Sequence, residues 1–524
     1  MKKLWYTIFT MARFKYTDNS QGQLMVVNLK DQLLADTFEW TIDYLINKMD
    51  ISLFEQNYHN DEKGAAAYSP RILLKIILYC YSKGIITSRR IEKACRNNII
   101  VKALAEGSEP DHDTIASFIS TNNEAVKDLF TQVLLQCAQL NLITGQMFAI
   151  DGCKLPSNAS KEWSGTLGDL RKKRDKLKKY ISRMIFQHQE LDQDENAKKI
   201  QAPYKKTMGE NKERRQRSIE RLENKLKKLD MFLATAEPRK GTSGEEVQSN
   251  ITDNESARIK SPHGYIQGYN GIAIADSGSQ VIVCAQAIGC GPESGCFPGM
   301  LDRLEENMKT ITGKKKPLKK ALLEGDTGYF SEENLQEAAK RKIEVLIPDP
   351  QFRQRDPYYA EKKKEKVPRK RYTVDDFRYD KNTDSYICPA GKVLEYKYDV
   401  TLRNNSGKQY RAQRGTCVHC PLLDKCVNRR AGNNPVRTLY IIDRKYKDNL
   451  SEKMRKKIDN PAYRELYSRR MQIIEPVYSN ITYCKGMNRF TLRTQRKVDI
   501  QWKLFCIVHN IGKCMKALGK EQVV

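Results

Sequence analysis

No window of the 524-residue chain approaches the roughly 18 uninterrupted apolar residues that a membrane span requires. The most apolar stretch, Ile72 to Tyr81, carries Lys75 and reads as a buried helix. The opening MKKLWYTIFTMARFKY has a basic tip and a brief apolar run, but it lacks a small-residue cleavage site and runs into Arg13 and Lys15, so no signal peptide is expected. Met11 offers a second start, which would leave the first ten residues outside the folded protein. Acidic residues are in deficit, with 64 Asp+Glu against 92 Lys+Arg and a net charge of +28. That excess points to a polyanionic partner, nucleic acid first. Fourteen cysteines without a secretory signal do not suggest a disulfide framework, and a reducing cytoplasm fits them. Ten are scattered and read as small buried hydrophobes, whereas Cys388, Cys417, Cys420 and Cys426 fall in one segment.

What is present is enough for several cores. At 40% hydrophobic and 9% aromatic the chain is not disordered, and its length suggests two to four units. Residues 1–145 read as helical. Pro70 starts a helix that Gly84 closes, a second from about Ser88 carries Arg89, Arg90, Lys93 and Arg96, and Asp113 is the expected N-cap of a third through Phe118. Two short helices around a Gly-containing turn are like a helix-turn-helix, which makes Arg89, Arg90 and Lys93 candidate DNA contacts; helical pairs that never touch DNA have the same pattern. His112 is read as an ordinary residue at a helix start.

From Gln146 the apolar period changes. MFAID (147–151) is a short strand with Gly152 as a turn signal, 265–275 and 280–289 form a hairpin about Asp276-Ser277-Gly278, and a helix from about 298 to 309 precedes the strand KALLEGD. A further helix and IEVLIP complete an α/β pattern, a mixed sheet with helices packed on it, over 146–350. Two insertions interrupt it. Residues 167–236 repeat Leu170, Leu177, Met184 and Leu191 every seven positions and Ile219, Leu222, Leu226, Leu229 and Leu233 in 3-4 alternation, which predicts a coiled-coil hairpin with a basic exterior, as a spacer or as a DNA contact. Residues 351–464 hold the basic run Lys362 to Arg371 and the four clustered cysteines, and 465–524 return as helix.

The chemistry centres on carboxylates at element ends. Asp151 ends the first strand, Asp326 the fourth, and Glu475 lies in the helical segment RRMQIIEPVY. Carboxylates brought together repel one another unless a hard cation such as Mg²⁺ (or Mn²⁺) lies between them, and two such ions about 4 Å apart suit phosphodiester displacement. From spacing alone other Asp and Glu residues could be nominated equally, among them Glu324, two positions before Asp326 and on the same strand face. Pro476 should break or kink its helix next to Glu475. Cys388, Cys417, Cys420 and Cys426 could hold a structural Zn²⁺, with His419 as a substitute ligand; the pattern is looser than paired CxxC knuckles, and four idle cysteines are the alternative.

The stretches AYSPRILLKIILYCYSKGIITSRRIEKACRNN, PDHDTI, AIDGCKLPSNASK, GYIQGYNGIAIAD, EGDTGYFSEENL, IEPVYSNI and FTLRTQRKVDIQWKLFCIVHNIGK, in this order, resemble an insertion-sequence transposase with a DDE catalytic core, in particular the eleven-eighty-two group of the IS-four-like transposases. The resemblance covers nearly the whole chain from about Met11. It implies a ribonuclease-H-like core with Asp151, Asp326 and Glu475 as metal-binding catalytic carboxylates, double-stranded DNA at element ends and targets as substrate, a homo-oligomer when bound to DNA ends, no membrane partner, and a bacterial cytoplasmic, nucleoid-associated location. Such enzymes need no covalent protein nucleophile. Two departures stand out. Thr482 occupies the position where related sequences carry Lys, leaving Lys485, Arg489 or Arg493 for phosphate contact, and Tyr467 and Arg470 precede Glu475 with one residue too many. The alternatives are a transposase-derived DNA-binding protein without catalysis and a metal-dependent nuclease of the same fold.

Overall fold

The computed structural model describes residues 26–58, 66–197, 202–241, 244–261, 264–357, 371–402, 405–427, 435–442 and 450–521. The first ten residues, Met11 and all but the last residue of the basic run Lys362 to Arg371 lie outside them.

The N-terminal region is helical: α1 (Phe38–Lys48), α2 (Ser52–Glu55), α3 (Pro70–Ser82), α4 (Ser88–Asn97), α5 (Ile99–Leu104), α6 (His112–Thr121) and α7 (Asn123–Gln139). Helix α3 is buried almost all round, and of its two charged residues Lys75 is 2% exposed and paired with Asp43 at 2.6 Å, as a buried ammonium requires. Gly84 ends the turn after it at φ +73°. The N-cap of α6 is Asp111, whose carboxylate accepts the Thr114 N–H at 2.8 Å, not Asp113. Position 111 precedes the first helical residue, where an oxygen reaches the free N–H groups; position 113 is already inside the helix.

The main sheet follows: β1 (Met147–Pro156), β2 (Ser164–Gly165), the hairpin helices α8 (Leu167–Ala197) and α9 (Ala202–Thr235), β3 (Ser249–Asn250), β4 (Ala257–Ser261), β5 (Gly264–Asp276), β6 (Ile282–Ile288), α10 (Phe297–Thr312), β7 (Leu322–Gly325), α11 (Glu332–Lys340) and β8 (Glu344–Leu346). Strand order is β4-β5-β1-β7-β8, with β6 also pairing β5. Strand β1 runs antiparallel to β5 and parallel to β7, so the sheet is mixed, as the order of predicted elements required. Gly152 does not turn the chain. It stays in β1 opposite Ile272, and a Cβ there would fall 2.6 Å from the Asn270 side chain, so the glycine admits a close cross-strand neighbour. In the hairpin, Leu167, Leu170 and Leu229 are buried at the base.

Beyond α12 (Phe352–Arg355), the strands β9 (Arg378–Asp380), β10 (Ser385–Ile387), β11 (Val393–Leu402), β12 (Asn405–Ala412) and β13 (Thr438–Ile442), with α13 (Leu423–Cys426) before the last, form an antiparallel sheet with its own small core of Phe377, Leu394, Tyr410, Ala412 and Leu439. The chain rejoins the main body at α14 (Leu450–Asp459), whose Ile458 packs with Leu322, Leu346 and Phe352. The boundary drawn at 464 therefore falls inside the next helix, α15 (Pro461–Ser479).

Helix α15 runs through Pro476. The carbonyl that proline leaves without its helical donor belongs to Gln472, and it accepts the Gln280 Nε2–H at 2.8 Å, so the sheet supplies the missing bond. A π-helical turn, Asn480–Cys484, follows. The last helix, α16 (Gln495–Glu521), is buried between the sheet and the N-terminal helices: the Trp502 indole donates to Ile272 O at 3.0 Å, and Phe505 stacks on Tyr81 at 4.6 Å.

Candidate functional site

Three carboxylates, Asp151, Glu293 and Asp326, present oxygens within 4.8 Å of one another. Each comes from a different element. Asp151 lies midway along β1, where its Oδ1 accepts the Gly152 N–H at 2.8 Å. Asp326 directly follows β7 and caps a short 3-10 turn through the Gly328 N–H at 2.9 Å. Glu293, in the loop between β6 and α10, is 6% exposed; Asn270 Nδ2 donates to it at 2.9 Å and Lys154 Nζ stands 3.3 Å away. Burial pushes Asp326 above the usual carboxylate range, and Asp151 adds to the shift against the Gly328 N–H and Arg470. Burial raises Glu293 as well; Lys154 opposes it, and Asp326 and Asp151 reinforce it.

Helix α15 closes one side. Arg470 Nη1 donates to Asp151 Oδ2 at 2.9 Å, and two turns later the Tyr478 hydroxyl donates to Asp151 O at 2.5 Å. Tyr467 faces the same region, its hydroxyl pushed up to about 12 by burial. Beneath lies Glu324, wholly buried, with both carboxylate oxygens unpartnered; burial pushes it up to about 8 against the opposing charges of Arg470 and Arg469. A neutral acid is the form such a place accepts. A cavity of about 900 Å³ opens beside Asp326, walled by Tyr467, Arg470 and Met471 of α15 and by Phe352 and Arg464.

Of the three carboxylates expected from sequence, two are brought together. Glu475 is on α15 but exposed, about 140° round the helix from Arg470 and outside the three-carboxylate group. It neighbours Met471, one turn earlier, so it lies where the cavity wall continues onto the helix flank. Glu324 is likewise outside the group. Glu293 and Lys154 were missed. Glu293 sits in the loop CGPESGC, where nothing but the surrounding turn residues draws notice, and Lys154 is three positions past Asp151, a spacing that strand alternation assigns to opposite faces.

The basic candidates separate. Arg89, Arg90 and Lys93 are exposed on α4, while His112, at the first position of α6, bonds Glu92 at 2.9 Å. Lys485 is half-buried with its ammonium 5.3 Å from the Phe38 ring centre, and burial lowers its pKa. Arg489 and Arg493 donate to Ser157 O and Asn158 O, both at 3.3 Å, at the end of β1. Thr482 is occupied by its own helix, donating to Tyr478 O at 2.8 Å.

Cys388, Cys417, Cys420 and Cys426 line one small cavity of about 20 Å³. The Lys392 N–H points at Cys388 Sγ at 3.2 Å. Burial raises Cys426, with Arg437 opposing and the other three thiols adding.

Two segments match known families. A Transposase DDE domain matches residues 387–515, which take in the cysteine set, α15 and most of α16, and a Transposase domain (DUF772) matches residues 27–121, the helices α1 to α6. No curated protein matches. The mixed α/β fold fits a DDE transposase, and the two matches support an insertion-sequence transposase, with nucleotidyl transfer on DNA and a divalent metal as what that family implies. No helix among the described residues is long and apolar enough to cross a membrane.

Proposed function

We propose that this chain binds the terminal inverted repeats of an insertion sequence, cleaves the DNA at those ends and joins the freed 3′-hydroxyl to target DNA, on a ribonuclease-H-like core. The observation that carries this reading is the convergence of Asp151 from β1, Asp326 from the end of β7 and Glu293 from the loop after β6, with cations on either side. The donor set suits Mg²⁺ or Mn²⁺: all are hard oxygens, and Glu293 and Asp326 are raised by burial first and then by neighbouring carboxylate charge, which a cation would relieve. Asp151 and Asp326 would hold the ion, with Glu293 from the opposite loop and Glu475, the family's expected third ligand, from α15. A divalent ion there polarises phosphoryl oxygens and lowers the pKa of water. The chain's own part is to orient. Arg470 and Tyr478 fix the Asp151 side chain and backbone, Asn270 and Lys154 fix Glu293, and Lys154 and Arg470 offer positive charge to a phosphate. Two copies would bring the two ends together. In the Cys-rich sheet, four cysteines line one cavity, which supports a structural Zn²⁺ that would draw the sulfurs together, since among the described residues no three of them lie within 4.8 Å of one another.

A DNA-binding protein descended from such enzymes and lacking cleavage is the second reading, favoured by the position of Glu475 outside the carboxylate group. The test is direct. Purified protein is incubated with duplexes carrying the sequences that flank its gene, with Mg²⁺ or Mn²⁺. Strand-specific cleavage at the repeat ends is expected; sequence-specific binding with no cleavage under either ion would leave the second reading.

A further inference from the structure

A cavity of about 450 Å³ opens where the base of the helical hairpin meets the free edge strand of the main sheet. Lys161 approaches from the turn before β2, Lys172, Lys173 and Lys176 from the first turns of α8, and Arg258 from the edge strand β4. Five cations face a single carboxylate, Asp169, and that one is engaged elsewhere. It accepts the Thr166 hydroxyl at 2.9 Å and the Thr166 N–H at 3.2 Å, which hold it below the usual carboxylate range.

The cavity is built rather than a chance meeting of surface lysines. Lys173 Nζ donates to Glu162 O at 2.6 Å and Ser164 O at 2.8 Å, which ties the Lys161 turn to the helix. Arg258 lies over the Tyr265 ring at 4.3 Å and donates to Gln248 Oε1 at 3.4 Å, so its guanidinium is held at the wall. The polar floor is already satisfied: Gln267 accepts from the Ser164 hydroxyl and donates to Ser256. Lys161, Lys172 and Lys176 have no carboxylate partner among the described residues.

Its position relative to the carboxylates can be measured along β5. Ala273 pairs with Asp151, and Gln267 lies six residues further along the strand, roughly 20 Å at about 3.3 Å per residue. That span equals about six base pairs of duplex at 3.4 Å each. Arg489 and Arg493, anchored to Ser157 and Asn158, stand at the cavity end of that span. Ser157 N in turn donates to Gln267 O at 2.9 Å, so this row of cations is continuous with the cavity.

We propose that this cavity is a phosphate-backbone site that grips duplex DNA about half a helical turn from the phosphate held at the carboxylates. It rests on the DNA-processing reading above and adds to it a second, sequence-independent anchor at the hairpin base.

The experiment uses the full chain and duplexes with the gene's flanking sequence, either long or cut back to fewer than about six base pairs on one side of the cleavage position. Binding is followed by fluorescence anisotropy over a salt series. The triple variant Lys172→Ala, Lys176→Ala and Arg258→Ala should bind the long duplex at least tenfold more weakly than wild type, flatten the slope of log affinity against log salt by about 2 to 3, and match wild type on the duplex shortened toward the cavity. A control triple further out on the hairpin, Arg214→Ala, Arg215→Ala and Arg221→Ala, should leave the difference between long and short duplexes intact. An unchanged slope in the first variant, or the same length-dependent loss in the control, overturns the proposal. Wild type that binds no duplex at all overturns the DNA-processing reading itself, a distinct result.

Discussion

Arg470 Nη1 lies 2.9 Å from Asp151 Oδ2, although the two residues are 319 positions apart in sequence. The guanidinium thus stands on one side of a carboxylate group whose other resident cation is Lys154. Both act as permanent counter-charge where three acids meet.

Replacing Arg470 with Ala should destabilise the fold by about 2–3 kcal/mol, because a largely buried ion pair loses one partner and the carboxylates are left to repel. Mg²⁺ should restore part of that loss, so the rise in melting temperature on adding Mg²⁺ should be larger for the variant than for wild type. Equal Mg²⁺ responses in calorimetry would remove Arg470 from the electrostatics of the site.

Asp151→Ala and Asp326→Asn should each lower cleavage of a repeat-ended duplex by at least a thousandfold while binding remains measurable. A gel assay that separates bound from cut DNA checks both at once. Full cleavage by either variant takes that residue out of the site.

Glu293→Gln should weaken Mn²⁺ binding by about tenfold, read by calorimetric titration without DNA, since it removes one of three converging carboxylates. Glu475→Gln should leave the melting temperature unchanged, the side chain being exposed, and reduce cleavage if α15 brings it to the metal with DNA bound. Retained cleavage in Glu475→Gln together with lost cleavage in Glu293→Gln would assign the third ligand to Glu293.

Glu324 should make stability fall with rising pH. Its carboxyl is raised to about 8 in the fold, against an ordinary value near 4.5, so between those limits the folded protein holds a proton that the unfolded chain has released. Its contribution is fully present below about pH 4.5 and is lost as pH climbs through 8. Wild type minus Glu324→Gln, compared in melting temperature from pH 5 to 9 with chelator present, should drift downward across that window. A flat difference contradicts a neutral buried acid.

Removing zinc should unfold the small sheet from 378 to 442 and leave the main body folded, because among the described residues that sheet has a core of five buried side chains and the main core is separate. Purified protein without stoichiometric zinc would end that assignment.

Much of the architecture could be read from the residues. The switch of apolar period at Gln146 located the sheet, and the heptads of 170–191 located the hairpin, because both patterns are local. The site was half legible. Asp326 follows the end of an apolar strand, and Asp151 ends an apolar run in the sequence although β1 itself continues to Pro156, whereas Glu293 enters through a loop whose path depends on tertiary packing. Local rules expect Pro476 to break or kink its helix; α15 is not broken there, and such rules cannot know that Gln280, 192 residues from Gln472, takes over the orphaned carbonyl. Asp113 was named as the cap for a related reason: Asp111, two positions earlier, is the same residue type, and which of the two caps depends on where the helix register begins.

The place of α16 at the centre has a consequence for synthesis. Trp502 closes the sheet and Phe505 closes the N-terminal helices, so neither layer has a complete core until the last helix is made. At about 5–20 residues per second, a ribosome takes on the order of ten to thirty-five seconds to travel from Asp326 to Trp502. During that interval Asp151, Glu293, Asp326 and Lys154 exist in the nascent chain, but Arg470 and the helices α15 and α16 that complete the site are still being made. Under the proposed function, DNA cutting would thereby be withheld from unfinished chains, without any inhibitor.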